Sequence, residues 1–149
     1  MERFNVFSGE LKPGFDREGY GARWERLGPL IGAESIGASV YELEEGQQTF
    51  PYHFHHGVEE WLLVVEGTPT LRAPAGERAL RRGDVVCFPS RAEGAHAVRG
   101  PGRIVLFSTG SRPSISVYPD SDKVGVRGEG DEEHLDFRRG DAVDYWEGE

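Results

Sequence analysis

The sequence predicts an all-β chain rolled into a barrel or sandwich. Between Ser35 and Thr109, short apolar and β-branched runs alternate with turn signals. The turns recur at intervals of about 8–12 residues, the spacing of many short strands. The composition agrees: 21 Gly and 9 Pro against 37% apolar residues suit a turn-rich fold better than long helices. At 149 residues the chain reads as one domain, 1–149. That length can bury about 68–70% of the unfolded surface without disulfide or metal staples.

The elements follow in order. Residues 1–35 are rich in Gly and Pro with scattered aromatics and no sustained helical period, which predicts an irregular arm with one short strand. Strands are predicted at 36–43, 49–55, 59–66, 69–73, 78–80, 84–88, 95–98 and 103–108, forming a core over about 36–108. Gly57 and Gly83 sit in two of the breaks, where a turn needs positive φ. The returning strand places Leu62 and Val64 on one face and Trp61, Leu63 and Val65 on the other, so its outer face needs a cover. The arm, the tail or a second subunit could supply it, and a homodimer is expected. Residues 110–149 read as a tail: extended at Tyr118-Pro119, a charged mobile surface loop over 127–141, and aromatics Tyr145 and Trp146 that should dock on the barrel or on a partner subunit.

The net charge of −9 excludes a polyanion as partner, because binding nucleic acid requires cationic side chains to displace counterions. Arg81-Arg82 and Arg138-Arg139 are short doublets, read as solvated turn residues. Cys87, the lone cysteine, lies in an apolar run and is expected to be a small buried hydrophobe. The first residues carry no apolar signal segment, and the run from Trp61 to Val65 is far short of the ~20 residues that cross a bilayer. These readings predict a soluble cytoplasmic protein without membrane contact.

The chemistry concentrates in Pro51-Tyr52-His53-Phe54-His55-His56-Gly57-Val58-Glu59-Glu60. On a strand, residues two apart share a face, so His53 and His55 project together with Cα atoms about 6.6 Å apart. Gly57 permits a turn that brings Glu60 back beside them, while Phe54 points away to pack. Two imidazoles and a carboxylate in one apolar barrel would be costly to desolvate unless a cation neutralised them. A fourth ligand is sought among His56, His96 and His134. His56 has the wrong strand parity, and His134 lies in the charged tail. His96, beginning a predicted strand, is the best choice; His56 and Glu59 are expected at the mouth or surface.

His53-x-His55-x4-Glu60-x6-Gly67 resembles the first motif of the cupins, and Gly83-Asp84-x4-Pro89 followed by His96 resembles the second. More narrowly, Phe50-Pro51-Tyr52-His53, the run Gly83 to Pro89, Tyr118-Pro119-Asp120-Ser121 and the closing Asp144-Tyr145-Trp146-x-Gly148-Glu149 are similar to small bacterial single-barrel cupins of unassigned function. There are departures: Gly46 stands seven residues before His53, His96 follows Pro89 by seven rather than five, and Gly100 replaces the usual closing Asn. The resemblance implies a double-stranded β-helix, or jelly-roll, barrel and a metal held by His53, His55, Glu60 and His96. The ion would be one divalent cation: Fe, Mn, Ni, Co, Cu or Zn. With no Cys ligand, an open site is favoured over a closed structural one.

The function expected is an enzyme acting on a small oxygenated molecule, of dioxygenase, decarboxylase or sugar-phosphate isomerase type, with Glu60 as ligand and as proton acceptor. A phosphorylated sugar would want cations at the mouth, for which Arg72, Arg91 and Arg99 are candidates. The alternatives are a non-catalytic metal-dependent small-molecule sensor, and a barrel with a purely structural metal.

Overall fold

The structure is a computed structural model and describes residues 1–110, 113–128 and 133–149. In chain order the strands are β1 (Lys12–Arg17), β2 (Tyr20–Arg26), β3 (Ile36–Leu43), β4 (Phe54–His56), β5 (Glu60–Gly67), β6 (Thr70–Ala73), β7 (Gly76–Ala79), β8 (Val85–Phe88), β9 (Ala97–Arg99), β10 (Gly102–Thr109), β11 (Ser114–Tyr118), β12 (Lys123–Arg127) and β13 (His134–Arg138), with one short helix, α1 (Leu27–Ile31). They form a six-stranded sheet ordered β1-β2-β3-β10-β5-β8, a four-stranded sheet β13-β12-β11-β4 and a three-stranded sheet β7-β6-β9. The architecture is a double-stranded β-helix, all antiparallel between named strands.

The core lies between the sheets. Tyr41, Leu62, Val64, Ile104 and Leu106 of the large sheet meet Leu71, Leu80, Phe88 and Val98. Each of these side chains alternates with an outward one, the period-two pattern of a strand. The outward residues have their own cover. Val40, Leu63, Val65 and Val105 pack against Phe4, Val6, Leu11 and Leu27 of the N-terminal segment. Arg103, almost buried, pins that segment by donating to the carbonyls of Phe7 at 3.2 Å and Gly9 at 2.5 Å. The cover expected for β5 is therefore supplied in part by the chain's own beginning.

Several expectations are corrected. The first 35 residues hold a two-stranded hairpin and a helix rather than one short strand. Pro13 and Gly14 obscured it, but β1 is an edge strand, where a missing N–H is tolerated, and its register shifts between Pro13 and Asp16. The strand expected at 49–55 is reduced to β4, with Thr49 joined to β9 at Val98 and His53 to the loop before it at His96 through isolated backbone contacts. The tail adds three strands, and 134–138 of the expected charged loop is β13; residues 129–132 of that loop fall outside the described residues. Cys87 is exposed, because β8 is the edge of its sheet and its outer face is bare. Tyr145 and Trp146 do not dock on the barrel: they are 83% and 72% exposed. Among the described residues, no helix is long and apolar enough to cross a membrane.

Candidate metal centre

β4 and β5 bring the first three residues together. His53 precedes β4 and His55 lies within it; Gly57 turns the chain at φ 78°, and Glu60 opens β5. His96 arrives from the loop before β9. The two extra residues of that loop are taken up by a 3-10 turn at Ala92–Gly94. A methyl group on Gly94 would collide with the Pro89 carbonyl, so the turn needs glycine. The longer loop leaves His96 in place because its backbone is tied to that of His53 in both directions: His53 N–H donates to the His96 carbonyl at 3.1 Å, and His96 N–H to the His53 carbonyl at 2.8 Å. Gly100, where the resembling motif has Asn, is equally constrained: a side chain would strike the Glu44 carbonyl.

The donor atoms of His53, Glu60 and His96 lie within 4.8 Å of one another and form a group that could hold a metal ion. His55 Nε2 is 3.1 Å from His53 Nε2 and 3.1 Å from Glu60 Oε2; His96 Nε2 is 3.5 Å from the same carboxylate oxygen. Two ligand atoms each about 2.1 Å from one ion, at a right angle, stand about 3.0 Å apart, so these separations suit a shared cation. His56 and Glu59 are exposed, Glu59 accepting from the Trp61 indole, and His134 pairs with Asp136 on the surface.

The outer nitrogens fix the tautomers. His53 Nδ1 donates to the Pro51 carbonyl at 2.8 Å and His96 Nδ1 to the Gly94 carbonyl at 2.9 Å, since a carbonyl can only accept. Both rings are held neutral. Burial, with His96 and His55 nearby, pushes the His53 pKa down to about 3, and burial lowers His96 as well. Their Nε2 atoms are then bare lone pairs. Burial alone would raise the pKa of Glu60, but the hydrogen bond and charge of His55, with His96 and His53 behind it, outweigh it and the carboxylate stays ionised. Three acceptors thus face one another, and only His55 could place a proton between them. Ser116 Oγ, 3.1 Å from His55 Nδ1, can donate to that ring or accept from it. A cation would satisfy all four atoms at once if His55 turned its proton to Ser116.

Aromatic rings wall the centre: Phe88 stacks on His96 at 3.7 Å, Tyr118 lies 5.8 Å from His53, and Phe50 meets His53 edge-on. The centre opens into a cavity of about 310 Å³ lined by Arg26, Ser39, Tyr41, Leu106, Ser114, Tyr118 and Arg127 among others. Of these, the sequence reading singled out none as a site residue. The signal was the alternation Ser114, Ser116, Tyr118, polar at every second residue in a segment taken for tail. Arg72, Arg91 and Arg99 do not line it. Arg72 is paired with Asp120 and lies over the Tyr52 ring, and Arg99 is paired with Glu77.

A profile of the cupin domain matches residues 39–110, the stretch that holds this centre. Residues 39–110 form a cupin domain. Among solved structures, this cupin is similar to a cupin-superfamily sugar phosphate isomerase from Silicibacter pomeroyi, with TM-score 0.77 and 21% identity over 94% of each chain. It is also similar to a protein from Acidithiobacillus ferrooxidans proposed to be a sugar phosphate isomerase, with TM-score 0.76 and 26% identity over 84% of this chain and 81% of that one. Among curated proteins it is 27% identical to Auxin-binding protein ABP19b of Prunus persica over 116 residues, 74% of this chain and 50% of that protein. This cupin therefore spans about half the length of that relative.

Proposed function

We propose that this cupin holds one divalent cation through His53, His55, Glu60 and His96 and acts on a small oxygenated molecule bound at that ion. The observation that carries the reading is the convergence of bare imidazole nitrogens on an ionised carboxylate with one proton at most to share among them. Three neutral imidazoles and one carboxylate leave a dication with a net charge of about +1. When bound, such an ion polarises an oxygen of its ligand as a Lewis acid, or brings O₂ beside it. The chain's own residues orient the rest. In this reading the three Nδ1 partners hold the rings, the aromatic rings flank the ion, and Glu60 takes a proton from a carbon next to a polarised carbonyl. That arrangement suits isomerase or oxygenase chemistry on an enediol, a 2-hydroxy ketone or a similar chelate, and the sugar phosphate isomerase likeness of the fold supports the first of these. A second reading is a binder without turnover, favoured by the curated relative named for binding auxin.

Elemental analysis of protein purified without a metal-affinity column should find about one divalent ion per chain, absent from His55→Ala; no ion in the wild-type chain overturns the reading. Loss of substrate or O₂ from a panel of hydroxy ketones and diketones then separates enzyme from binder.

We propose also that a second copy covers the outer sheet face left bare by the N-terminal segment. Ile36, Trp61, Val85 and Phe107 are exposed there by 61%, 47%, 57% and 37%, beside exposed Cys87. Light scattering should give a two-chain mass that Trp61→Arg reduces to one; a single-chain mass for the wild type refutes it.

A further inference from the structure

Two arginines from distant parts of the chain line the cavity: Arg26 at the end of β2 and Arg127 at the end of β12. Arg26 is left unpaired among the described residues, and Arg127 is engaged only in part. The Arg26 side chain has no hydrogen bond or ion pair among the described residues, whereas Lys12, Arg72 and Arg99 each have a carboxylate partner. Arg127 donates Nη2 to the Tyr118 hydroxyl at 3.4 Å. Its Nη1 is buried without a hydrogen-bond partner and lies 3.7 Å from Asp136 Oδ1, near enough for partial charge balance but not for a hydrogen bond. A buried N–H without an acceptor is costly, and a turn of the guanidinium toward the cavity that Arg127 lines would offer it a ligand oxygen.

The charge pattern points the same way. The chain carries −9, yet among the described residues the charged groups lining this cavity are two arginines and the carboxylate of Glu60. An occupied centre would add two positive charges, making the cavity a cationic pocket in an anionic protein. Such a pocket concentrates anions of small size while the surface repels large ones. The serine hydroxyls of Ser39, Ser108 and Ser114 line the same space. About 310 Å³ lies at the low end of small-molecule clefts, roughly 300–1,000 Å³.

The register sets the distance. Arg127 pairs with Ser114, and Ser116 pairs with His55, so Arg127 stands two strands away from the centre. Arg26 pairs with Ser39 on β3, with β10 between that strand and Glu60 on β5. We propose that Arg26 and Arg127 together bind an oxyanion, phosphate or carboxylate, carried by the ligand some bonds away from the oxygens that face His53, His55, Glu60 and His96. The inference rests on the proposed metal-centred reading for the far end of the ligand, but the anion subsite itself needs no ion.

Calorimetry with three probes of matched shape tests it: D-glucose, D-glucose 6-phosphate and D-glucuronate, each titrated into Zn²⁺-loaded and metal-stripped protein. At least one anionic sugar should bind ten-fold or more tighter than glucose, and which of the two does so distinguishes phosphate from carboxylate. Arg26→Gln with Arg127→Gln should reduce that preference to two-fold or less, while Arg127→Lys, which keeps the charge, should retain most of it. Equal binding of all three sugars, no binding of any, or a preference that survives the double variant overturns the proposal. A preference that persists in stripped protein, beside elemental analysis that finds no metal in the native chain, would sink the metal reading and leave the anion subsite standing. A metal-loaded chain with no preference does the reverse.

Discussion

Titrating Zn²⁺ into metal-free protein raises its melting temperature by roughly 8–16 °C at a free concentration a thousand times the dissociation constant. Binding to the folded chain alone contributes about 4.1 kcal/mol at that ratio. For chains of 150–250 residues each kcal/mol moves the midpoint by about 2–4 °C. His53→Ala abolishes the rise, because the ring it removes is 7% exposed, anchored to Pro51 and central to the lone-pair cluster. Glu60→Gln weakens it strongly, since an amide brings no charge to offset the ion. His134→Ala leaves it unchanged, its ring being exposed and distant in the fold. Scanning calorimetry or dye-based melting reads all three. An equal rise in the His53→Ala chain would show that Zn²⁺ stabilises the protein from elsewhere.

Without metal, stability falls as the solution is acidified from about pH 6.5 to 5. An unfolded histidine titrates near 6.5, but burial holds folded His53 near 3. Between those values the unfolded chain binds a proton that the folded chain refuses, so the unfolded state gains. The contribution is whole above about 6.5 and drains away as pH drops toward 3. At 1.36 kcal/mol per pH unit, His53 alone loses roughly 2 kcal/mol by pH 5. That is a midpoint shift of about 4–8 °C. His96 is depressed for the same reason and adds to the loss. The lowered Glu60 acts in the same direction at more acid pH. His53→Gln with His96→Gln, whose amides do not titrate, flattens the profile; an unchanged slope in that variant would place the acid sensitivity outside the centre.

The central strands were legible because their alternation is strong. β3 was predicted at its observed bounds, and Leu62, Val64, Ile104 and Leu106 face inward as a two-residue period requires. The flanking strands were hidden by composition. Pro13 and Gly14 break the pattern of β1, and the three tail strands carry Ser, Gly and charge on one face because that face is wet or lines a polar cavity. The histidines near β4 could be read as a group because they sit two apart in the chain. Ser116, Tyr118, Arg26 and Arg127 could not, since only strand pairing brings them to the same mouth. Cys87 was misjudged for a related reason: periodicity shows which residues share a face, but not whether that face is covered.

The contact between Ser116 and His55 joins residues 61 apart in the chain. A nascent polypeptide that has exposed β4 and β5 still lacks both the bridge to His96 and the hydroxyl that steadies the middle imidazole. An ion meeting such an intermediate would find fewer anchors than in the finished barrel, so capture would belong to the end of maturation, after the sheet has wrapped around. In a small zinc module, by contrast, the cation organises the fold from the outset; here the apolar strands supply a core of their own, so metal supply would govern occupancy more than yield of folded protein.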